Sequence, residues 1–465
     1  MNKVYSSAAA AVADVAEGAS VMIGGFGVIQ GWPSSLIAAL RDRGVSDLTA
    51  IGNTLGSGEG SPQILAENRQ IRRLIASFGA SAWRPTAIAQ QIQQGEVEFE
   101  PVPQGTLVER MRAGGAGLPA FYTSVGVGTP VAKGKERKSF NGREYILETA
   151  LRADYAFIRA HKADPRGNLV YRRGARNFHP IMAMAADVVI AEVDEVVPLG
   201  ELDPEAVVTP GIFVHRIVKT EVAKAEMRRR METINRYSGG PVKRAVGPAG
   251  ITREMMALCA ARYLEDTSYV NLGIGIPTLV SNYIWDRNVT LHAENGVLNY
   301  GPLAEEGEQD IDLYNAGGQL VTLRPGASFF HSLDAFVMAR GGHLDTVVLG
   351  AFQVSERGDL ANWWSPHMGA GGIGGAMDLV TGTPQVIIIM EHATRDGQPK
   401  ILKECTYPLT APRCVSLVVT DLAVVQVTPE GLVLKEIAPG VTPEEVQALT
   451  EPTLRLAADL KEMDF

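Results

Sequence analysis

Val21-Met22-Ile23-Gly24-Gly25-Phe26-Gly27 is the stretch that decides the fold, because an apolar, strand-forming run passes directly into a glycine turn. Trp32-Pro33-Ser34-Ser35 then begins a predicted helix that continues through Leu40. This order of strand, glycine turn and helix is typical of an α/β unit, and it makes Gly25 a candidate for backbone approach to a substrate. A dinucleotide-binding turn is disfavoured, because Gln30 occupies the third glycine position of the G-x-G-x-x-G pattern.

The same order of elements returns in the second half of the chain. Tyr269-Val270-Asn271-Leu272-Gly273-Ile274-Gly275-Ile276-Pro277 again predicts a strand, a glycine turn and the start of a helix. Asp154 stands 13 residues before Gly167-Asn168-Leu169. Asp345 stands at the same distance before Gly358-Asp359-Leu360, so these two segments align without a gap. We therefore predict an α/β protein in which two similar domains, each with an open and mostly parallel sheet, pack face to face with a site between them.

The predicted boundary between the two domains lies in a basic segment that glycines and prolines interrupt. It contains Arg228-Arg229-Arg230 and Ser238-Gly239-Gly240-Pro241. We predict an N-terminal domain at 1–220, a linker at 221–250 and a C-terminal domain at 251–465. A phosphate-binding patch is the alternative interpretation of the basic residues in the linker.

Composition disfavours several classes of protein. The chain has 465 residues and a net charge of −9, whereas a general nucleic-acid binder normally has a basic footprint. No apolar run reaches the roughly 18–20 residues that a membrane span needs, so we expect neither nucleic acid nor membrane as a partner. Cys259, Cys405 and Cys414 are too scattered for a disulfide framework or a CxxC metal site. A cytoplasmic location and no bound metal are therefore predicted.

One carboxylate stands in an unusual place, at the end of an apolar run. In Val289-Thr290-Leu291-His292-Ala293-Glu294-Asn295-Gly296-Val297-Leu298, the glutamate directly precedes a pair that favours a tight reversal. Asn-Gly between alternating apolar residues is a strong hairpin signal, and a solvated glutamate beside a hairpin is the simpler interpretation.

The alternative interpretation makes Glu294 a nucleophile. A carboxylate can attack a thioester to give a mixed anhydride and a thiolate, and the thiolate can return to form a thioester on the enzyme. This sequence of steps conserves the thioester bond while a thiol carrier passes between two acids. Asn53 stands near the corresponding place in the first half, so one half is predicted to supply the nucleophile and the other half the binding groups.

Such a reaction also needs donors for the tetrahedral oxyanion. Met368-Gly369-Ala370-Gly371-Gly372-Ile373-Gly374-Gly375-Ala376-Met377-Asp378 is the candidate, because successive glycines can turn backbone N–H groups inward. A flexible surface loop is the alternative interpretation of this segment. Gln104 and Asn53 can hydrogen-bond a substrate carboxylate or carbonyl, or they can serve as structural amides that cap turns.

These motifs resemble the family I coenzyme A transferases, in particular the succinyl-CoA:3-ketoacid (3-oxoacid) type with fused alpha and beta subunits. The resemblance extends over nearly the whole chain, and its motifs follow one another in the order of the family. The segments that carry it are 23–27, 103–107, 112–117, 273–277, 294–298, 325–330, 358–363 and 374–380.

The resemblance implies an activity and a set of site residues. It implies that CoA passes between succinyl-CoA and a 3-oxoacid such as acetoacetate by ping-pong kinetics, through a glutamyl-CoA thioester on Glu294. It implies that Gly374 and Gly375 donate to the oxyanion. Asn53 and Gln104 match polar positions of the family's acyl pocket.

The resemblance also bears on cofactors and partners. CoA is then a substrate and part of a covalent intermediate rather than a bound cofactor, and the partners are acyl-CoA and carboxylic acids. Pairing of the fused chains into a homodimer is expected from the family. Three alternatives stay open: a CoA-thioester hydrolase or ring-opening enzyme on the same fold, a transferase for 3-oxoadipate, acetate or butyrate, and a catalytically silent CoA-binding protein.

Three positions depart from the family's pattern. One additional residue lies between Gly25-Phe26 and Gly31-Trp32-Pro33. Ala293 stands where the family commonly has Ser, and Asn299 replaces a usual Gly. All three are predicted to lie where acyl groups are recognised, so they bear on which acids are accepted.

Overall fold

The computed structural model of the protein describes residues 2–27, 31–79, 86–222, 248–366 and 368–465. Two large sheets dominate these residues, and each sheet is built from one half of the chain. The lengthened part of the first glycine turn, at 28–30, lies outside the described residues. So do the basic residues of the predicted linker from Lys224 to Arg244, and with them the phosphate-binding alternative.

Seven strands of the first sheet form one continuous parallel row, as short apolar runs separated by helices predict. In spatial order these strands are Arg216–Lys219, Ala186–Val196, Ala153–Ala163, Ser20–Ile23, Leu48–Gly52, Ile71–Ala76 and Glu98–Pro101. An eighth strand, Leu169–Val170, pairs antiparallel with Ala153–Ala163. Both faces of the row are apolar, because Met22 belongs to one buried cluster and its neighbours Val21 and Ile23 belong to another.

Helices connect the strands of this half. The α-helices are Ala8–Ala11, Ser34–Arg43, Gln63–Glu67, Ala87–Gln93, Gln104–Gly115 and His179–Met184, and the 3-10 helices are Pro130–Ala132, Arg173–Arg176, Pro204–Ala206 and Gly211–Phe213. The predicted helix after the first glycine turn is confirmed. It ends where Gly44 adopts a left-handed φ of 75°, which glycine accommodates without strain. A small antiparallel sheet is formed by Ala120–Thr123, Arg143–Thr149 and Arg137–Phe140.

The second sheet has ten strands, and its five central strands run parallel. In spatial order the ten strands are Val321–Phe329, Val297–Leu303, Thr290–Ala293, Tyr269–Leu272, Thr346–Leu349, Gln385–Ile389, Leu417–Val419, Ala423–Thr428, Gly431–Ile437 and Leu454–Glu462. Antiparallel pairings extend the sheet on both sides of the predicted parallel centre, and the last strand, Leu454–Glu462, pairs parallel with Gly431–Ile437. A single large apolar cluster packs on this sheet.

Among the described residues, the second half has fewer helices than the first. Its α-helices are Arg253–Ala261, Ser332–Arg340, Ala376–Gly382 and Pro443–Ala448, and a 3-10 helix lies at Ile276–Tyr283. A small sheet is formed by Leu360–Ala361, Gln353–Ser355 and Ile401–Leu402. Within the described ranges, none of the helices combines the length and the apolar character that crossing a membrane requires.

The predicted duplication of an α/β unit is confirmed by corresponding contacts in the two halves. In the first half, the Asp154 carboxylate accepts the backbone N–H of Ser20 at 2.8 Å. In the second half, Asp345 accepts the backbone N–H of Tyr269 at 2.7 Å. Ser20 and Tyr269 begin the corresponding strands. The glycine 13 residues after each aspartate has a positive φ, 94° in the first half and 80° in the second.

The two halves diverge after their second strand. In the first half, Leu48–Gly52 is followed by a helix and then by the parallel strand Ile71–Ala76. In the second half, the chain reverses directly after Thr290–Ala293, and the last residue of that strand pairs with Val297 across an antiparallel hairpin. The hairpin predicted from Asn295-Gly296 is therefore confirmed. It places the glutamate of this turn at the carboxyl end of a parallel strand.

The two halves pack against each other through apolar and charged contacts. Tyr314 and Leu320 of the second half belong to an apolar cluster of the first sheet. Arg172 of the first half forms ion pairs with Asp310 and with Asp312, the latter at 2.8 Å. The division at 1–220, 221–250 and 251–465 stays a prediction.

Candidate active site

Glu294 directly follows strand Thr290–Ala293, at the end of a parallel strand where open α/β sheets bind ligands. The residue is 9% exposed, and its Oε2 accepts a hydrogen bond of 3.1 Å from Nδ2 of Asn271. Burial raises the pKa of Glu294, and the hydrogen bond from Asn271 opposes that shift. The arrangement yields a fixed and partly desolvated carboxylate, which is what nucleophilic attack on a thioester requires.

His292 and Glu294 both contact the side chain of Asn271. His292 is fully buried, and its ring stacks on Phe330 with 5.8 Å between the ring centroids. Burial lowers the pKa of His292 to about 4, so the ring is neutral near pH 7. His292 is therefore a packed residue of this strand.

The two predicted oxyanion donors of the glycine loop, Gly374 and Gly375, differ in their hydrogen bonds. The N–H of Gly374 donates to the carbonyl of Ser77 at 3.1 Å, and the carbonyl of Gly374 accepts the N–H of Gln104 at 2.9 Å. Both backbone polar groups of Gly374 are therefore bonded to residues of the first half. The N–H of Gly375 has no acceptor in the part of the chain that the structure describes. Of the two glycines, Gly375 is the one whose N–H can face an oxyanion.

Asn53 and Gln104 are buried amides without their full set of partners. Asn53 is 1% exposed, and neither amide atom of its side chain has a hydrogen-bond partner among the described residues. Gln104 is equally buried, and its Nε2 likewise has none there. A Cβ atom placed on Gly375 would lie 3.1 Å from Oε1 of Gln104, so this amide stands beside the glycine loop. Buried amides are normally bonded, so unpaired ones beside such a loop indicate a place for a polar ligand.

Gly25 has a packing role in this structure. Its φ is 138°, and a Cβ atom placed on it would lie 2.3 Å from the ring of Trp32. Glycine is required there because an indole ring covers the backbone. Its predicted contact with a substrate stays a prediction.

Helix Ser332–Arg340 connects the carboxylate hairpin to the glycine loop. Before the helix, the N–H of Phe330 donates to the carbonyl of Gly296 at 3.2 Å. Within the helix, the ring of Phe336 lies 3.2 Å from the position of a Cβ atom on Gly375. The segment from Phe330 through this helix therefore contacts both parts of the site.

Asn271, Ser77 and Phe78 contribute to the site and were not predicted to do so. The signal for Asn271 was a polar residue inside an otherwise apolar strand, because burial of an amide costs free energy unless the amide is hydrogen-bonded. Ser77 and Phe78 carry no such signal, because they reach the glycine loop only through the packing of the two halves. A Cβ atom placed on Gly372 would lie 2.5 Å from the ring of Phe78.

A comparison with protein families agrees with this geometry. The model of the Coenzyme A transferase family matches residues 5–220 and 253–449. The chain belongs to the coenzyme A transferase family. The recognition of this family from sequence motifs is thereby confirmed.

Relatives within the family differ in how their chains are divided. The chain is 42% identical over 482 residues to the Homo sapiens protein named succinyl-CoA:3-ketoacid coenzyme A transferase 2, mitochondrial, covering 99% of this chain and 91% of that one. It is 54% identical over 204 residues to one subunit of the 3-oxoadipate CoA-transferase of Pseudomonas putida, covering 43% of this chain and 94% of that one. A separate subunit elsewhere therefore corresponds to part of this fused coenzyme A transferase chain.

A solved structure matches the fold over the full length. The acyl-CoA transferase (YdiF) apoenzyme of Escherichia coli O157:H7 has a TM-score of 0.80 at 21% identity, covering 100% of this chain and 95% of that one. A thioester complex of that protein with CoA gives the same TM-score. The likeness confirms the predicted duplicated CoA-transferase fold.

The predicted cytoplasmic location is wrong. The human relative that matches 99% of this chain is named a mitochondrial protein, and this finding overturns the prediction. The prediction depended on three scattered cysteines, and all three are free thiols in the structure. Free thiols indicate only that the fold does not use disulfides, and this chemistry does not separate one reducing compartment from another.

Two departures from the family's pattern have structural explanations that differ from the predicted one. Ala293 is 1% exposed and belongs to the apolar core of the second sheet. Because successive side chains of a strand alternate between its faces, Glu294 points to the opposite face. Asn299 has a φ of 62°, and its Nδ2 donates to the carbonyl of Pro325 at 2.8 Å. Glycine and asparagine are the residues that tolerate this conformation. Neither position needs an acyl group to explain it.

Proposed function

We propose that the protein transfers CoA between succinyl-CoA and a 3-ketoacid, with Glu294 as the nucleophile that carries CoA as a glutamyl thioester. One observation carries the proposal: in a chain of this family, a buried carboxylate stands at the end of a parallel strand, where the side chain of Asn271 donates to it. The names of full-length relatives support the choice of substrates.

Each half of the reaction begins with one thioester bond and ends with one. The Glu294 carboxylate attacks the thioester carbonyl of succinyl-CoA, the C–S bond breaks, and a mixed anhydride and a CoA thiolate form. The thiolate attacks the glutamyl carbonyl of the anhydride, which releases succinate and leaves CoA on the enzyme. A 3-ketoacid carboxylate then enters and the same steps run in reverse. No water and no nucleotide are consumed.

Three other residues have roles in this proposal. The N–H of Gly375 donates to the oxyanion that develops on the thioester carbonyl. Gln104 and Asn53 bind polar atoms of the acyl group, which supplies the partners that their buried amides lack. The low exposure of Glu294, 9%, limits the access of water to the thioester, which favours return of the thiolate over hydrolysis.

The preferred acceptor within the 3-ketoacids is an open part of the proposal. Acetoacetate and 3-oxoadipate both carry a carboxylate and a ketone in the same relation, and 3-oxoadipate has a second carboxylate in addition. The resemblance to a 3-oxoadipate CoA-transferase subunit supports testing both acids. Rates with acetoacetate, 3-oxoadipate, acetate and butyrate, with succinyl-CoA as the donor, would rank them.

The decisive experiment omits the acceptor. Incubation with succinyl-CoA alone is expected to produce succinate and a CoA adduct on the peptide that contains Glu294, as measured by mass spectrometry. Glu294→Ala is expected to abolish both the adduct and the transferase activity. Glu305→Ala, an exposed glutamate in the same half, is the matched control and is expected to retain both.

Two outcomes would contradict the proposal. Rapid release of free CoA without an adduct would identify a hydrolase. Full transferase activity in the Glu294→Ala variant would exclude the covalent mechanism.

The oligomeric state is a further part of the proposal. The resemblance to fused CoA transferases supports a homodimer of chains that each contain an N-terminal domain at 1–220 and a C-terminal domain at 251–465. Light scattering after size-exclusion chromatography would measure the mass of the particle.

A further inference from the structure

Three charged side chains join the two halves beside the glycine loop, and the reaction proposed above gives none of them a role. Oδ2 of Asp378 accepts the backbone N–H of Gly105 at 2.9 Å, and its Oδ1 accepts Nη1 of Arg340 at 3.1 Å. Nη2 of Arg340 reaches Oε2 of Glu109 at 3.0 Å. We call Asp378, Arg340 and Glu109 the clamp. Asp378 and Arg340 come from the second half, and Glu109 and Gly105 come from the first.

The clamp lies immediately next to two parts of the site. Asp378 is three residues beyond Gly375, and Gly105 directly follows Gln104. The N–H of Gln104 donates to the carbonyl of Gly374 at 2.9 Å. Two successive N–H groups at the start of helix Gln104–Gly115 therefore bond to the glycine segment of the opposite half.

Burial makes these contacts strong when they are complete. The Asp378 side chain is 0% exposed, and those of Arg340 and Glu109 are 18% and 15% exposed. The carboxylate satisfies a backbone N–H that the first turn of a helix otherwise leaves without a partner, and it sits at the positive end of that helix. Removal of one member would leave a buried charge uncompensated, which is far more disruptive than loss of a surface ion pair.

The glycine at position 105 is required by the clamp. Gly105 does not have a positive φ, so its conformation is open to other residues. A Cβ atom placed there would lie 2.4 Å from Oδ1 of Asp378 and 2.6 Å from Nη1 of Arg340. Any side chain would displace the carboxylate or the guanidinium.

We propose that Asp378, held by Arg340 and Glu109, is a positioning residue that fixes Gln104 and Gly375 relative to each other across the two halves. The inference depends on the proposed function only in that these two residues face the reacting acyl group. Because Gln104 and Gly375 come from opposite halves, neither half alone can set the distance between them. An error of about 1 Å in such a distance lowers a reaction rate by about 100-fold.

The test compares clamp variants with a matched buried pair outside the site. Asp378→Asn is expected to lower the rate of CoA adduct formation at saturating succinyl-CoA by about 10- to 100-fold, with the half-saturating concentration changed less than about threefold. Glu109→Gln keeps the contact between Asp378 and Arg340, so its loss is expected to be smaller. Glu436→Gln is the control: this carboxylate, 4% exposed, pairs with Arg262 at 2.6 Å. It is expected to lower Tm without a change in the adduct rate.

Hydrogen exchange provides a readout that does not depend on the reaction. In Asp378→Asn, amide exchange of segments 104–109 and 372–378 is expected to accelerate together, and in Glu436→Gln both segments keep the exchange rates of the parent protein. Gly105→Ala is expected to reproduce the same joint acceleration, which covers the case in which Asp378→Asn does not fold.

The outcomes separate the two proposals. Faster exchange in only one of the two segments, or in neither, would overturn the clamp. An adduct rate in Asp378→Asn equal to that of the parent would also overturn it. If the parent protein forms no adduct, the proposed function fails. The exchange measurement on Asp378→Asn then still decides whether the clamp couples the two segments, because coupling requires amide exchange to accelerate in both.

Discussion

The amide of Asn271 donates to Oε2 of Glu294 over 3.1 Å, so a residue of the neighbouring strand favours the ionised form of the proposed nucleophile. The same Nδ2 lies 3.2 Å from the carbonyl of His292 and is held in place by it. Burial raises the pKa of Glu294, and the hydrogen bond from Asn271 lowers it in part. Burial therefore disfavours the ionised form of the proposed nucleophile, and the hydrogen bond from Asn271 favours that form.

Removal of this donor is expected to shift the pH dependence of the reaction. The proposed nucleophile reacts as the carboxylate, and Asn271→Ala removes a group that favours the ionised form, so the pKa of Glu294 rises further. The acid limb of the adduct rate against pH should therefore move to higher pH, with a loss of about 10- to 100-fold at neutral pH. Asn168→Ala is the matched control, because Asn168 also donates to a carboxylate, Asp164 at 2.7 Å, outside the site. An unshifted acid limb in Asn271→Ala would contradict this role.

Replacement of the nucleophile itself is expected to stabilise the fold at neutral and alkaline pH. Because burial raises the pKa of Glu294 in the folded state above its unfolded value, the ionised folded state carries a desolvation penalty. That penalty is absent below the unfolded pKa, grows as pH rises through the folded pKa, and is then constant. Glu294→Gln removes it, so Tm should exceed that of the parent by about 2 °C or more at pH 8 and should approach the parent value near pH 4. A lower Tm at pH 8 would show that the carboxylate stabilises the fold.

A near-isosteric apolar substitution of Gln104 is expected to separate binding from stability. Gln104 is 1% exposed and its Nε2 has no partner among the described residues, so the fold gains little from the amide. Gln104→Met should keep Tm within about 2 °C of the parent value or raise it, and should lower kcat/KM by about 10- to 1,000-fold. Gln91→Met is the control, because Nε2 of Gln91 donates to the carbonyl of Ala66 at 2.7 Å. The control should lose stability and keep its activity. A Gln104→Met variant that loses stability and keeps its activity would assign Gln104 a structural role.

Local patterns were sufficient to predict the repeated unit of the fold. The apolar runs, glycine turns and helix starts are short-range features, and the two aspartates that precede each glycine by 13 residues make the same contact in both halves. The antiparallel edges of the second sheet were not predictable in the same way. Strands Ala423–Thr428 and Gly431–Ile437 pair with each other across a short turn, and their place between Leu417–Val419 and the edge strand Leu454–Glu462 depends on long-range packing.

The residues of the site differ in the same way: some are marked by a local sequence pattern, and others only by long-range contacts. Glu294 stood out because a carboxylate inside an apolar run is rare on physical grounds, and its Asn-Gly turn is a local signal. Asp378 and Ser77 were not singled out, because an aspartate or serine next to a strand or helix is ordinary in sequence. Their importance comes from the contact between halves, through the N–H groups of Gly105 and Gly374. Contacts of this kind join positions that are far apart in the chain, and a single sequence does not record them.

Ala293 supplies a test of whether a departure from the family's pattern affects the choice of acid. Its side chain lies in the apolar core of the second sheet, on the face of the strand opposite to the carboxylate. Ala293→Ser would bury a hydroxyl in apolar surroundings, at a cost of about 1–3 kcal/mol if the hydroxyl finds no partner. Tm should fall by several degrees, and the ratio of kcat/KM values for acetoacetate and 3-oxoadipate should stay within about twofold of the parent. Because the serine cannot reach the acyl group from that face, a changed acceptor ratio with an unchanged Tm would place position 293 in the acyl pocket instead.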